Sequence, residues 1–155
     1  NAGLRDSKTL SPKKRALLVP LIKQKATSWA IGDASSTEID FNGIRMATEM
    51  AMIRALKKLK KPINLVLVDG ILPIRTWNGN QKTLIKGETQ SPAIAAASVL
   101  AKEARDKLIK DLAKTYPEYG LATNVGYGTK LHIKVLQSLG PTPLHRKSFL
   151  SKICI

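Results

Sequence analysis

The segment Ile63-Asn64-Leu65-Val66-Leu67-Val68 constrains the fold of this chain more than any other. It is nearly all apolar, rich in β-branched residues, and stops at the turn pair Asp69-Gly70. A strand with one wet face alternates polar and apolar residues. A run without alternation reads as a strand buried on both faces, as in a parallel sheet.

The segments on either side supply helices. Ser11 is a natural N-cap and Pro12 fits the first helical position, opening a helix with Leu17, Leu18, Leu21 and Ile22 at helical spacing. Pro20 is expected to bend or shorten it. Residues 27–32 read as a short strand. Ser35 and Glu38 have capping-box spacing, and good helix formers dominate residues 39–59, with a break expected near Gly43. Met46, Met50 and Met52 in that stretch read as core filler. Residues 83–87 suggest a second strand. Ser91 and Pro92 open the clearest helix, which Pro117 stops. Ile94, Ala97, Ala101, Ala104, Leu108 and Leu112 form its expected core stripe. The turn Gly126-Tyr127-Gly128 leads to a last helix over Lys130–Leu139, ended by Gly140-Pro141. Strands alternating with helices predict an α/β fold, and no linker or repeat divides residues 1–155, so one domain is expected.

Charge narrows the partners. The chain has 26 Lys and Arg against 11 Asp and Glu, a net charge of +15. Such an excess favours polyanions. The basic residues are spread along the chain, which suits nucleic acid better than a membrane surface, where they would crowd one amphipathic helix. Aromatic residues are only 5%, which argues against a single-strand binder built on base stacking. No apolar run approaches a membrane span. Cys154 is the one cysteine, so no internal disulfide can form and a cytoplasmic, reducing compartment is expected.

Two carboxylates stand out. Asp69 ends the buried strand, and open α/β sheets place ligands beyond the carboxyl ends of their strands. Asp106 shares a helix face with Ala95, Val99, Lys102, Ile109 and Ala113, where burial is costly unless the charge is paired or binds metal. Each has an ordinary alternative: a turn pair for Asp69, and an ion pair with Lys102 or Lys110 for Asp106. Hard divalent cations take oxygen ligands, and two-metal sites drive phosphodiester displacement. Tyr127, between Gly126 and Gly128, could stack on a sugar or base or donate a hydrogen bond, or simply pack within its loop. His132 and His145 are each more often structural than catalytic, although Arg146 and Lys147 beside His145 suit a phosphate-facing cluster. No His/Cys set has zinc-ligand spacing, and neither G-x-S-x-G nor a P-loop occurs.

In order and over nearly the whole chain, these segments resemble type 2 ribonuclease H. The resemblance runs from Gly3-Leu4-Arg5-Asp6-Ser7-Lys8 through Val68-Asp69-Gly70, Lys86-Gly87-Glu88 and Ser91-Pro92-Ala93-Ile94-Ala95-Ala96-Ala97-Ser98. It continues through Ala101-Lys102 with Arg105-Asp106, then Tyr116-Pro117 and Gly126-Tyr127-Gly128-Thr129-Lys130 with His132. It closes with Leu139-Gly140-Pro141, His145-Arg146 and Ser148-Phe149. Each piece is weak alone; the ordered set is specific.

The resemblance implies a ribonuclease H-like fold, a mixed central sheet flanked by helices. It implies endonucleolytic cleavage of RNA in RNA–DNA hybrids, and of ribonucleotides embedded in duplex DNA, by a monomer. It implies Mg²⁺ or Mn²⁺ held by four carboxylates, two of which match Asp69 and Asp106. Tyr127 matches the residue that reads the ribose 2′-hydroxyl at the junction. Gly126, Gly128 and Thr129 lie beside it at the substrate, and Lys8, Lys86, His145, Arg146 and Ser148 are further expected contacts. The family's first strand ends in an Asp-Glu pair followed by Gly-Arg-Gly. This chain contains neither and begins just beyond where they would lie, so the domain is expected to be N-terminally incomplete and its parent longer. Two rival readings use the same absence: a basic RNA-binding protein without catalysis, and an inactive remnant of the fold.

Overall fold

The computed structural model describes residues 10–150. The expectations for Lys8 and Cys154 lie outside these residues. Helix α1 spans Pro12–Lys25 and α2 Ser36–Lys58. Strands β1 (Val66–Asp69) and β2 (Gln81–Leu84) follow, then the short α3 (Gly87–Gln90) and the long α4 (Pro92–Thr115). A 3₁₀ turn at Pro117–Tyr119 leads to α5 (Leu121–Asn124), α6 (Lys130–Leu139) and α7 (Lys147–Leu150). The described residues form two compact units. The first holds those up to Asp33 with Glu49–Ala104; the second holds Ala34–Thr48 with those from Arg105 onward.

In the first unit β1 and β2 pair in parallel, with Val66 opposite Gln81 and Asp69 opposite Leu84. The Val66 amide donates to Asn80 O and the Gly70 amide to Leu84 O, both at 2.9 Å, which closes the ladder at each end. Val66, Val68 and Ile74 are buried against Met52, Ile53, Leu56, Ile63 and Trp77, so Met52 is indeed core filler. A second cluster joins Ile22, Val99 and Leu100 with Leu18, Val19 and Ile31. In the second unit Ala113, Tyr119, Leu121 and Leu136 form the core, flanked by Ile109, Tyr116, Val135 and Leu144.

The caps follow the sequence. Ser11 Oγ accepts from Lys14 N–H at 3.4 Å. Ser35 and Glu38 make the reciprocal bonds of a capping box, at 2.9 and 3.1 Å. Replacing Ser35 by Ala deletes one of them and should cost about 1 kcal/mol. A denaturant midpoint equal to the wild type would show that the box contributes nothing. Gly43 interrupts α2 with φ 76° and ψ 157°, the expected break.

Three expectations are corrected. Pro20 does not shorten α1, which runs through it to Lys25; the lost donor faces the Ala16 carbonyl, on an exposed stretch where water can replace it. Residues 27–32 belong to no strand; the Ile31 carbonyl accepts from Lys58 Nζ at 2.9 Å, and Ser28 Oγ accepts from Lys60 N–H at 3.2 Å. The expected core stripe of α4 holds only in part. Ile94 of that stripe is buried, together with Ala95, Val99, Leu100, Asp106 and Ala113, whereas Ala97 and Ala101 are exposed and Leu108 is 53% exposed. Val99 and Leu100 pack against Ile22.

Candidate active site

Asp69 is the last residue of β1, where the parallel sheet opens. β2 ends one step short of residues 85–87. Lys86 adopts the left-handed conformation, φ 53° and ψ 45°, and Gly87 starts α3. The expected strand over residues 83–87 is therefore displaced to Gln81–Leu84, because a left-handed residue cannot continue a ladder. The turn brings the Gly87 amide to Asp69, and that N–H donates to Oδ1 at 2.7 Å. A Cβ at Gly87 would lie 2.5 Å from Ile94 Cδ1 and 3.3 Å from Asp69 Oδ1, so a larger residue there would push the end of the Ile94 side chain aside and crowd the carboxylate. Among the described residues the Gly87 bond is the one hydrogen bond the structure gives Asp69, and it is made through Oδ1.

Asp106 belongs to the second unit and sits on the inward face of α4, buried as the small-residue face predicts. Among the described residues no three His, Cys, Asp or Glu side chains lie close enough together to hold a metal ion.

Tyr127 is 61% exposed, at the tip of the turn between α5 and α6. The turn is held by backbone of unusual conformation. Val125 has φ 46° and Gly126 φ 81°. Left-handed backbone at a β-branched residue costs about 1–3 kcal/mol and persists only where its surroundings over-determine it. Asn124 supplies much of that constraint. Its Oδ1 accepts from Gly126 N–H at 2.8 Å, its carbonyl from Tyr127 N–H at 2.9 Å, and its Nδ2 donates to Tyr119 O at 2.8 Å. Thr129 caps α6 by accepting from His132 N–H at 3.2 Å.

The expected phosphate-facing cluster at the chain's end is built differently. His145 points inward, with Nδ1 against Thr142 at 3.0 Å and Nε2 against His132 Nε2 at 3.4 Å, so both ring nitrogens have protein partners. The Arg146 guanidinium lies 3.8 Å from the Phe149 ring centroid. Ser148 N–H and Oγ both donate to Asp40 Oδ1, at 2.9 and 2.6 Å, and Lys147 N–H donates to Oδ2 at 2.7 Å. The Ser148 hydroxyl and amide hold the Asp40 carboxyl below the usual carboxylate range. In this structure His145 and Ser148 both have protein partners, Thr142 and His132 for the first and Asp40 for the second. The sequence reading missed Asp40, which carries no local signal. It also missed Asn124, although Asn-x-Gly is a turn signal that could have marked it.

A parallel sheet with a carboxylate at its carboxyl end, in a chain of +15, suits a protein that acts on nucleic acid. Its fold is that of the ribonuclease H2 from Pyrococcus horikoshii OT3, with a TM-score of 0.78 at 22% identity over 97% of this chain and 80% of that one. The chain belongs to the ribonuclease HII family, whose model matches residues 1–152. It is 59% identical to a ribonuclease HII of Prochlorococcus marinus strain MIT 9313, over 97% of this chain and 69% of the relative. It is 60% identical to that of Synechococcus sp. strain CC9902, over 98% of this chain and 76% of the relative. The family is one of ribonucleases, as the resemblance of the ordered motifs implied.

Proposed function

We propose that this member of the family hydrolyses the RNA strand of RNA–DNA hybrids and also cuts at ribonucleotides embedded in duplex DNA. The observation that carries the proposal is Asp69 at the end of β1, oriented through Oδ1 by the Gly87 amide. Asp69 and Asp106 offer the hard oxygen donors that Mg²⁺ or Mn²⁺ takes, and two carboxylates are part of the set such a site needs. When bound, the cations supply an activated water and charge stabilisation at the leaving 3′ oxygen. The protein's part is to bind and orient. Lys13, Lys14, Lys23 and Lys25 are exposed on α1, which has no acidic residue, and they suit phosphate contact. Lys86, beside Asp69, is placed for the same role. Exposed Tyr127 reads the ribose 2′-hydroxyl, the group that separates RNA from DNA. A reducing cytoplasm suits a chain whose one cysteine has no internal partner.

The test uses the full-length protein with Mg²⁺ on three duplexes: RNA–DNA hybrid, DNA with one ribonucleotide, and plain DNA. Cleavage of the first two alone is expected, leaving 3′-hydroxyl and 5′-phosphate ends. Binding of hybrid without metal-dependent cleavage would favour a non-catalytic RNA-binding protein instead. Tyr127→Ala should lower cleavage at a single ribonucleotide by ~10–100-fold, the scale of one lost stacking or hydrogen-bonding contact, with a smaller effect on overall affinity. Equal losses on every substrate would remove the sensing role.

A further inference from the structure

The residues that brace the Tyr127 loop form one chain of hydrogen bonds whose protons can be assigned atom by atom. His132 Nδ1 lies 2.9 Å from the Tyr119 carbonyl oxygen. A carbonyl only accepts, so Nδ1 carries the proton and Nε2 of the neutral ring is bare. At the other end Thr142 N–H donates to His145 Nδ1 at 3.0 Å. The Thr142 hydroxyl accepts from Leu144 N–H and lies 2.9 Å from the same nitrogen. His145 therefore carries its proton on Nε2. The two Nε2 atoms face each other at 3.4 Å. The ring centroids are 5.4 Å apart and the planes differ by 21°, so the nitrogens lie between two rings that meet end to end. That is the geometry of an N–H···N bond from His145 to His132. This placement of protons serves the Tyr119, Thr142 and ring-to-ring contacts; Asn124 Nδ2, which also lies 3.3 Å from His132 Nδ1, donates to the Tyr119 carbonyl at the shorter 2.8 Å.

The chain runs on into the loop. The Tyr119 carbonyl that accepts from His132 also accepts from Asn124 Nδ2, and Asn124 holds the amides of Gly126 and Tyr127. His132 N–H ties Thr129 at the loop's far end. We propose that His132 and His145 are positioning residues for Tyr127: a proton-ordered pair that holds the loop in its reading position while His145 is neutral and loosens it when His145 gains a second proton. The proposal rests on the reading of Tyr127 given above.

The groups facing the pair leave it without a compensating charge. Tyr119, from the 3₁₀ turn, lies with its ring 5.4 Å from that of His145 and 6.2 Å from that of His132, and its hydroxyl donates to Gly140 O at 2.7 Å. Asn124 from α5 and Thr142 from the segment before α7 are neutral. Burial first, and His132 second, hold His145 below the ordinary imidazole range, against a smaller opposing effect of the Thr142 backbone; no carboxylate contributes. A base with a depressed folded-state pKa leaves the unfolded chain with more bound protons. The neutral arrangement thus contributes fully above about pH 6.5 and is lost as pH falls through the lower folded value.

Two measurements test this on the full-length protein. Imidazole ¹⁵N–¹H NMR at pH 7.5 should show His132 protonated on Nδ1 and His145 on Nε2. The ratio of cleavage at one ribonucleotide to cleavage of continuous hybrid should fall ~10-fold from pH 7.5 to 5.5, the scale of one broken charge-sensitive hydrogen bond. Effects of pH on the metal or the attacking water act on both substrates and cancel in that ratio. His145→Gln keeps an amide N–H to donate toward His132 and does not titrate, so its ratio should stay flat. Both rings protonated on Nε2, a flat wild-type ratio, or a Gln variant that falls as steeply as the wild type would each overturn the proposal. Failure of the Tyr127 reading shows itself separately, as equal losses on all substrates in Tyr127→Ala, and leaves the NMR result to decide the proton order.

Discussion

Asp69→Asn in the full-length protein should reduce kcat on RNA–DNA hybrid by on the order of 10³-fold or more while leaving hybrid binding close to wild type. The magnitude follows from the several kcal/mol that metal-assisted charge stabilisation contributes, at about 1.4 kcal/mol per factor of ten. The substitution is informative because it separates charge from geometry. Asn retains an Oδ1 that can accept from the Gly87 amide, so the turn after β2 has no reason to move. The net negative charge that would attract a divalent cation is lost. Asp106→Asn should act in the same direction, and its buried setting adds a readout of stability that exposed Asp69 lacks. Steady-state cleavage and filter binding on the same hybrid make the comparison. Near-wild-type cleavage in either variant would count against both residues as metal ligands.

Leu136→Ala should destabilise the protein by about 2–5 kcal/mol, the range for truncating a large buried aliphatic side chain. Leu136 is 1% exposed and joins Ala113, Tyr119 and Leu121 in the core of the second unit. Tyr119 supplies the carbonyl that anchors both Asn124 and His132, so loosening this core should reach the Tyr127 loop as well. Chemical denaturation gives the stability change. Selectivity for a single ribonucleotide, measured where the variant is still folded, gives the second effect. A loss below about 1 kcal/mol would mean that the core closes around the missing atoms.

What the sequence made legible was mostly local. Ser11, Ser35 with Glu38, and Ser91 with Pro92 announce their helices because capping chemistry lies within four residues. The run at residues 63–68 announces a parallel strand because burial on both faces removes alternation, and β1 does pair in parallel. The α/β class and the family followed from motifs in order. The failures were matters of tertiary choice. Two faces of α4 are apolar enough to be a core, and Ile22 meets Val99 and Leu100, which lie outside the expected stripe, while Ile94 within it is buried too. Ser148 and His145 sit in a basic stretch that suits phosphate, yet Asp40, over 100 residues earlier, takes the hydroxyl of Ser148. Nothing near either residue signals the other. At the site, Asp69 was legible from its place at a strand end, whereas the amide that orients it was not, since a backbone group leaves no mark in sequence.

That last point limits how the site can be probed. The donor to Asp69 is the peptide N–H of Gly87, and no side-chain replacement except proline, whose ring adds its own clash, deletes a peptide N–H. An alanine scan would therefore credit position 87 with a steric effect, through Ile94, and leave the electrostatic one unseen. Only a change to the backbone itself separates the two. An amide-to-ester exchange at residue 87, made by semisynthesis, keeps every side chain and removes one hydrogen, and whatever activity it costs is the share of catalysis that this chain stores in its main chain.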